Sequence, residues 1–186
     1  MAITTSIRTM LSCPIAFFAG ILGVSVIALG SALYAEVALG LEPCPLCIYQ
    51  RIPFVVGIIL GGAGLALRKR PKAATALLAL TGVNFLVNAG IAFYHSGVER
   101  KWWASGVEGC NVSFEGVENT GGEINEAAAT QTLLENILSA PTGNCAEIPW
   151  QDQLIGLSMA NYNVALCLGI TLFCLLSITL KRHPAA

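Results

Sequence analysis

The stretch 52–94, IPFVVGIILGGAGLALRKRPKAATALLALTGVNFLVNAGIAFY, holds two uncharged apolar runs, 52–67 and 73–94, joined by the basic connection Arg68-Lys69-Arg70-Pro71-Lys72. A membrane-spanning helix needs roughly 20 apolar residues, with about 17 as the lower end. The second run meets that length. The first is marginal alone, but reaches it if its helix begins near Pro45 and carries Arg51 close to the interface. Gly57, Gly61, Gly62 and Gly64 place small residues on this helix, which suits close approach to a neighbour.

Outward from this hairpin, two more uncharged runs cover 14–35 and 154–180. The predicted fold is an all-α integral membrane protein, a bundle of four transmembrane helices at about 14–35, 47–67, 73–94 and 154–180, with residues 1–186 forming one membrane domain. Composition agrees. Charged residues are 11 % of the chain and apolar ones 55 %, whereas a soluble domain carries about 25 % charged residues. Most of this surface must therefore face something other than water.

Orientation follows from the charges. Arg8, the 68–72 connection, Lys181 and Arg182 lie in three segments that contain no acid. All eleven acids fall in the other two segments, with only Arg51, Arg100 and Lys101 for company. The bias of Lys and Arg toward the cytoplasm places both termini inside and two loops, at about 36–46 and 95–153, on the periplasmic side. The first apolar run is longer than the 7–15 residues of a signal-peptide core and lacks a small-x-small cleavage site before Glu36, so it reads as a retained span. The expected location is a bacterial inner membrane or an equivalent energy-coupling membrane.

Seven cysteines are present. Cys13, Cys167 and Cys174 lie beside or inside apolar runs. On a helix, Cys167 and Cys174 share a face but stand about 10.5 Å apart along the axis, too far for a disulfide; they read as packing residues. Cys44, Cys47, Cys110 and Cys145 lie in the outer loops. Haem attachment needs a histidine directly after the second cysteine of a CxxC, and Ile48 stands there. A zinc site would need Cys110 and Cys145 as further ligands, yet these two lack a paired spacing, and thiols in an oxidising compartment tend to form disulfides. Redox chemistry is the favoured reading.

Position makes this pair reactive. Cys47 would sit in the first turn of the second span, where free N–H groups and the helix dipole favour a thiolate. Arg51, four residues on, lies on the same helical face one turn deeper, able to stabilise a thiolate or an anionic ligand. Pro53 frees the Tyr49 carbonyl and could kink the helix. Trp102-Trp103 after Arg100-Lys101 read as interfacial anchors, and 123–139 reads as an acidic helix closed by Pro141-Thr142-Gly143. No dinucleotide, flavin or haem motif is present, so by elimination the two electrons go to a quinone in the bilayer, either ubiquinone or menaquinone.

E-P-C-P-L-C-I-Y-Q-R at 42–51, F-Y-H at 93–95, N-C-A-E-I-P-W at 144–150 and L-I-G-L-S-M at 154–159 resemble the disulfide bond formation protein B (DsbB) family, over nearly the whole chain. The resemblance implies an enzyme that reoxidises a periplasmic thioredoxin-fold oxidase of the DsbA type with membrane quinone, a relay already known to keep the periplasm oxidising. It implies that Cys47 faces the quinone and that Cys44 exchanges with the loop pair. Cys110 would be attacked by the reduced partner to give a mixed disulfide, and Cys145 would be its resolving partner and the link to Cys44. Arg51 and His95 would lie near the quinone. It also favours the pairing Cys44–Cys47 with Cys110–Cys145. The loop between Cys110 and Cys145 is longer than in familiar members, so partner docking does not carry over.

DsbA is oxidising at about −120 mV, so a structural disulfide below about −300 mV would fall more than 8 kcal/mol short of oxidising it. Thiolate stabilisation at Cys47 favours the reduced form, the direction required. The nearest rival family, the vitamin K epoxide reductases, places its loop cysteines before the CxxC, whereas here Cys44 and Cys47 come first. Stoichiometric zinc held by four thiols in the purified protein would exclude the redox reading in favour of a zinc-binding structural membrane protein.

Overall fold

The computed structural model describes residues 14–107, 110 and 143–182. Among them are four long helices: α1 (Pro14–Leu39), α2 (Pro45–Ala66), α3 (Pro71–Glu99) and α4 (Met159–Arg182). Each is long and apolar enough to cross a membrane. With no water to satisfy backbone groups in hydrocarbon, helices that bond internally are the expected solution. The acidic segment 123–139 and Cys13 lie outside the described residues.

α1 packs along α2, α2 along α3, and α3 along α4. Because these helices are apolar on every side, hydrophobicity cannot choose their inward faces. Small, polar and aromatic residues do so instead. Ser25, Thr81, Asn88 and Ser177 are buried with Phe18, Phe85 and Leu78, while Ile27, Val83 and Leu172 are exposed and in a bilayer would face lipid. Phe17 stacks on Phe173, and Phe54 meets Phe85 edge-on at 5.6 Å. The glycines of α2 divide. A Cβ at Gly57 would press on Ser25 and Phe85, one at Gly61 on Leu22 and the Phe18 carbonyl, and one at Gly64 would overlap the Phe18 ring. Gly62 faces open space. Three of the four thus permit close approach, and the fourth does not.

The helix ends differ from the uncharged runs for local reasons. α1 continues one turn past Ala35, and Gly40, at φ 64°, then turns the chain, with Leu41 N–H reaching back to the Ala35 carbonyl at 3.2 Å. α2 begins at Pro45 with Cys44 as its N-cap and runs unbroken through Pro53, whose carbonyl accepts a hydrogen bond from Asn84 at 2.8 Å. α3 extends beyond Tyr94 to Glu99. α4 starts only at Met159, because Asp152 accepts from the Ile155 N–H and Gly156 takes φ 66°, which makes 151–158 a turn despite its apolar residues.

Gly64→Ala should destabilise the bundle by about 1–3 kcal/mol through overpacking against the buried Phe18. Gly62→Ala should be near neutral. Thermal unfolding in detergent compares the two.

Candidate redox site

The site is built at the end of the bundle where α2 begins. Cys44 occupies the N-cap, and its sulfur accepts the Cys47 backbone N–H at 3.2 Å. A cap of this kind holds both sulfurs over the first turn, among the N–H groups that no helical carbonyl can reach. Cys44 Sγ and Cys47 Sγ are 2.7 Å apart and unbonded. The hydrogen bond to Cys47, together with burial, pushes the Cys44 thiol well above the ordinary thiol range. Cys44 therefore keeps its proton and donates, and the Cys47 sulfur accepts.

Cys110 and Cys145, separated by 35 residues, form a disulfide with Cα atoms 4.8 Å apart. Both are fully buried, in one apolar cluster with Cys44, Leu46 and Val98, against which Cys47, Tyr94 and Val107 pack. The 143–146 segment lies directly on the chain leading into α2: a Cβ on Gly143 would come within 2.7 Å of the Glu42 carbonyl. The expected meeting of the two cysteine pairs is present. The bridge leaves Cys110 and Cys145 unavailable as zinc ligands.

Behind the CxxC, a cavity of about 550 Å³ opens between the helices. Cys47, Gln50, Arg51, Phe54, His95 and Glu99 line one part of it, and the rest is largely aliphatic wall from α1 and α4. Its volume is within the range of small-molecule pockets. All three residues expected beside a cofactor, Cys47, Arg51 and His95, are here. Arg51 forms an ion pair with Glu36 at 2.7 Å, which explains why α1 continues far enough to carry this acid. The His95 ring is buried, with Nε2 3.5 Å from Cys44 Sγ and 3.8 Å from a Glu99 oxygen. An apolar slot ending in a cation, an imidazole and a thiol fits a quinone, whose ring and tail are apolar and whose two carbonyls accept hydrogen bonds.

Sequence reasoning missed Glu36, Gln50, Glu99, Ser158 and Asn163. Glu99 is buried and accepts from Ser158 Oγ at 2.5 Å. Gln50 Nε2 reaches Leu46 O and His95 Nδ1, at 3.2 and 2.8 Å, and its oxygen accepts from Asn163 at 2.7 Å. Polar residues inside otherwise apolar spans were the available signal. Trp102 and Trp103 gather with Phe93 and Tyr94, and Arg100 lies over the Trp102 ring at 5.7 Å, as interfacial anchors would.

A four-helix membrane bundle with a dithiol and a disulfide buried together defines a membrane disulfide oxidoreductase. Residues 15–177 match the model of the family described as disulfide bond formation protein DsbB, and the chain belongs to that family. Its relatives include disulfide bond formation protein B of Acinetobacter baumannii, 32 % identical over 161 residues, covering 81 % of this chain and 82 % of that protein. The Xanthomonas campestris protein of the same name is 31 % identical over 164 residues, covering 84 % and 85 %. An uncharacterized protein of Rickettsia prowazekii is 28 % identical over 150 residues, covering 81 % and 79 %. No solved structure matches the chain.

In the folded protein at pH 7, with the Cys110–Cys145 bridge intact, an alkylating reagent should modify Cys47 first among the described free cysteines. Cys44, buried and held protonated, should react slowly even at pH 9, because its pKa lies above that value. Cys167 and Cys174 should react only on unfolding. Peptide mapping by mass spectrometry reads the order.

Proposed function

We propose that this chain oxidises a periplasmic thioredoxin-fold dithiol of the DsbA type by disulfide exchange and delivers the two electrons to membrane quinone, sustaining disulfide formation in exported proteins. In this reading it is a multi-pass protein of the bacterial inner membrane, with both termini cytoplasmic and the cysteines on the periplasmic side. The supporting observation is the burial of both cysteine pairs in one cluster at the mouth of a cavity that also holds Arg51 and His95.

The steps balance as follows. A thiolate of the reduced partner attacks Cys110 Sγ, the Cys110–Cys145 bond breaks, and a mixed disulfide forms. The partner's second thiol resolves it, leaving the partner oxidised and Cys110 and Cys145 as thiols. Within the chain, a loop thiolate attacks Cys44 of the closed Cys44–Cys47 bond. Cys47 leaves as a thiolate, favoured by the helix N-terminus, and closure of Cys110–Cys145 completes the transfer. Bound quinone supplies an acceptor for two electrons and two protons. Cys47, lining the cavity, gives up the pair as its bond to Cys44 re-forms. Arg51 would orient and polarise the acceptor, and aliphatic walls would exclude water.

Detergent-solubilised protein mixed with a reduced DsbA-type oxidase and ubiquinone should form quinol. Cys44→Ser and Cys47→Ser should abolish turnover, and Cys110→Ser should lose exchange with the partner. Wild-type rates in Cys110→Ser would overturn the relay. Arg51→Gln should raise the apparent quinone KM at least tenfold, and an unchanged KM would return Arg51 to a headgroup-anchoring role.

A further inference from the structure

A hydrogen-bond chain crosses the bundle toward the CxxC, and every donor in it points the same way. Asn88 Nδ2 donates to Cys167 Sγ at 3.3 Å, and the Cys167 thiol donates to Asn163 Oδ1 at 3.1 Å. Asn163 Nδ2 donates to Gln50 Oε1 at 2.7 Å. Gln50 Nε2 then lies 2.8 Å from His95 Nδ1, and His95 Nε2 lies 3.5 Å from Cys44 Sγ. An amide nitrogen only donates, so His95 Nδ1 must be the acceptor. A neutral imidazole that accepts at Nδ1 carries its proton on Nε2.

The geometry points to Gln50 as a positioning residue that locks His95 in the Nε2–H tautomer, so that His95 meets Cys44 as a hydrogen-bond donor and not as a base. Gln50 cannot simply turn its amide over. The reversed amide would set its oxygen against the Leu46 carbonyl, 3.2 Å away and able only to accept, and its NH2 against that of Asn163. Gln50 and His95 are 7 % and 4 % exposed, so water does not offer an alternative partner; the other groups facing the ring, the Cys145 backbone carbonyl and Glu99, also take an imidazole N–H and not a bare ring nitrogen. Cys167, which sequence position alone marks as packing, is a hydrogen-bonded link between Asn88 and Asn163.

The consequence falls on the redox pair. Reduction breaks the Cys44–Cys47 bond and places two electrons on the sulfurs, with a thiol–disulfide buffer as donor in the test below. A thiolate sulfur accepts a hydrogen bond better than a disulfide sulfur does. A donor fixed at Cys44, passed on by the Cys44 thiol to Cys47, therefore favours the reduced form and makes the pair more oxidising. Successive bonds of one polarity also strengthen each other.

This inference rests on the CxxC being the redox centre, but its first readout needs neither partner nor quinone. The probe is 15N-histidine in the full chain in detergent, CxxC reduced, with His183→Ala so that His95 is the only histidine. The wild-type ring should give the Nε2–H pattern. Gln50→Leu should collapse it to tautomer-averaged shifts. The equilibrium constant for reducing Cys44–Cys47 against a glutathione buffer should fall about tenfold, close to 30 mV. Asn163→Ala, which frees the Gln50 amide to turn, should move both readouts the same way if Gln50→Leu does not fold. An Nδ1–H ring in the wild type overturns the proposal. So does a Gln50→Leu protein that keeps both the fixed tautomer and the wild-type equilibrium constant, or one whose tautomer is released without any change in that constant. A normal tautomer in a protein that fails to form quinol counts against the relay instead.

Discussion

The Cys44 sulfur is held by three groups at once: the Cys47 N–H it caps, the Cys47 sulfur, and the His95 ring from α3. This convergence fixes where α2 begins, and so where the bundle ends and the loop disulfide can dock. A helix start is the one place in an apolar bundle where backbone N–H groups remain free. Placing the reactive sulfurs there supplies positive potential without a buried cation. Arg51, one turn deeper, is already neutralised by Glu36. It is therefore better placed to orient a neutral acceptor than to add net charge to the site.

In the proposed relay the same end of the bundle faces two opposed requirements. Thiol exchange with a soluble partner needs the loop pair near water, while transfer to a lipid-soluble acceptor needs a cavity among the helices. The described residues bring the loop disulfide and the CxxC into one apolar cluster, with the cavity beginning at Cys47. In the proposed relay, electrons move inward by short sulfur-to-sulfur steps, and only Cys47 touches the slot.

The architecture was legible in the sequence because hydrocarbon imposes its demands along the chain: apolar length and the CxxC at a helix start both read locally. The helix ends were less legible, since Gly40, Gly156 and the Asp152 turn act through backbone geometry that hydropathy does not sense. Arg51 and His95 could be named from motif and resemblance, and both line the cavity. Glu36 is fifteen residues from Arg51, across a helix turn, and Asn163 is 113 residues from Gln50. Pairings that distant leave no local pattern, and a lone Asn or Gln in a span looks like tolerated polarity until its partner is seen. Cys174, buried against Gly82, is the packing residue its sequence position suggests, while Cys167, in the same core, also bonds Asn88 and Asn163.

The central claim is that the loop pair reaches the acceptor only through the CxxC. It is tested most directly in a Cys44→Ala variant, fully reduced and then given excess ubiquinone without air, with thiols trapped and counted by mass spectrometry over time. The account predicts that Cys110 and Cys145 stay reduced, while the same treatment closes their bridge in the wild type. Closure of the bridge at the wild-type rate in the variant would contradict it.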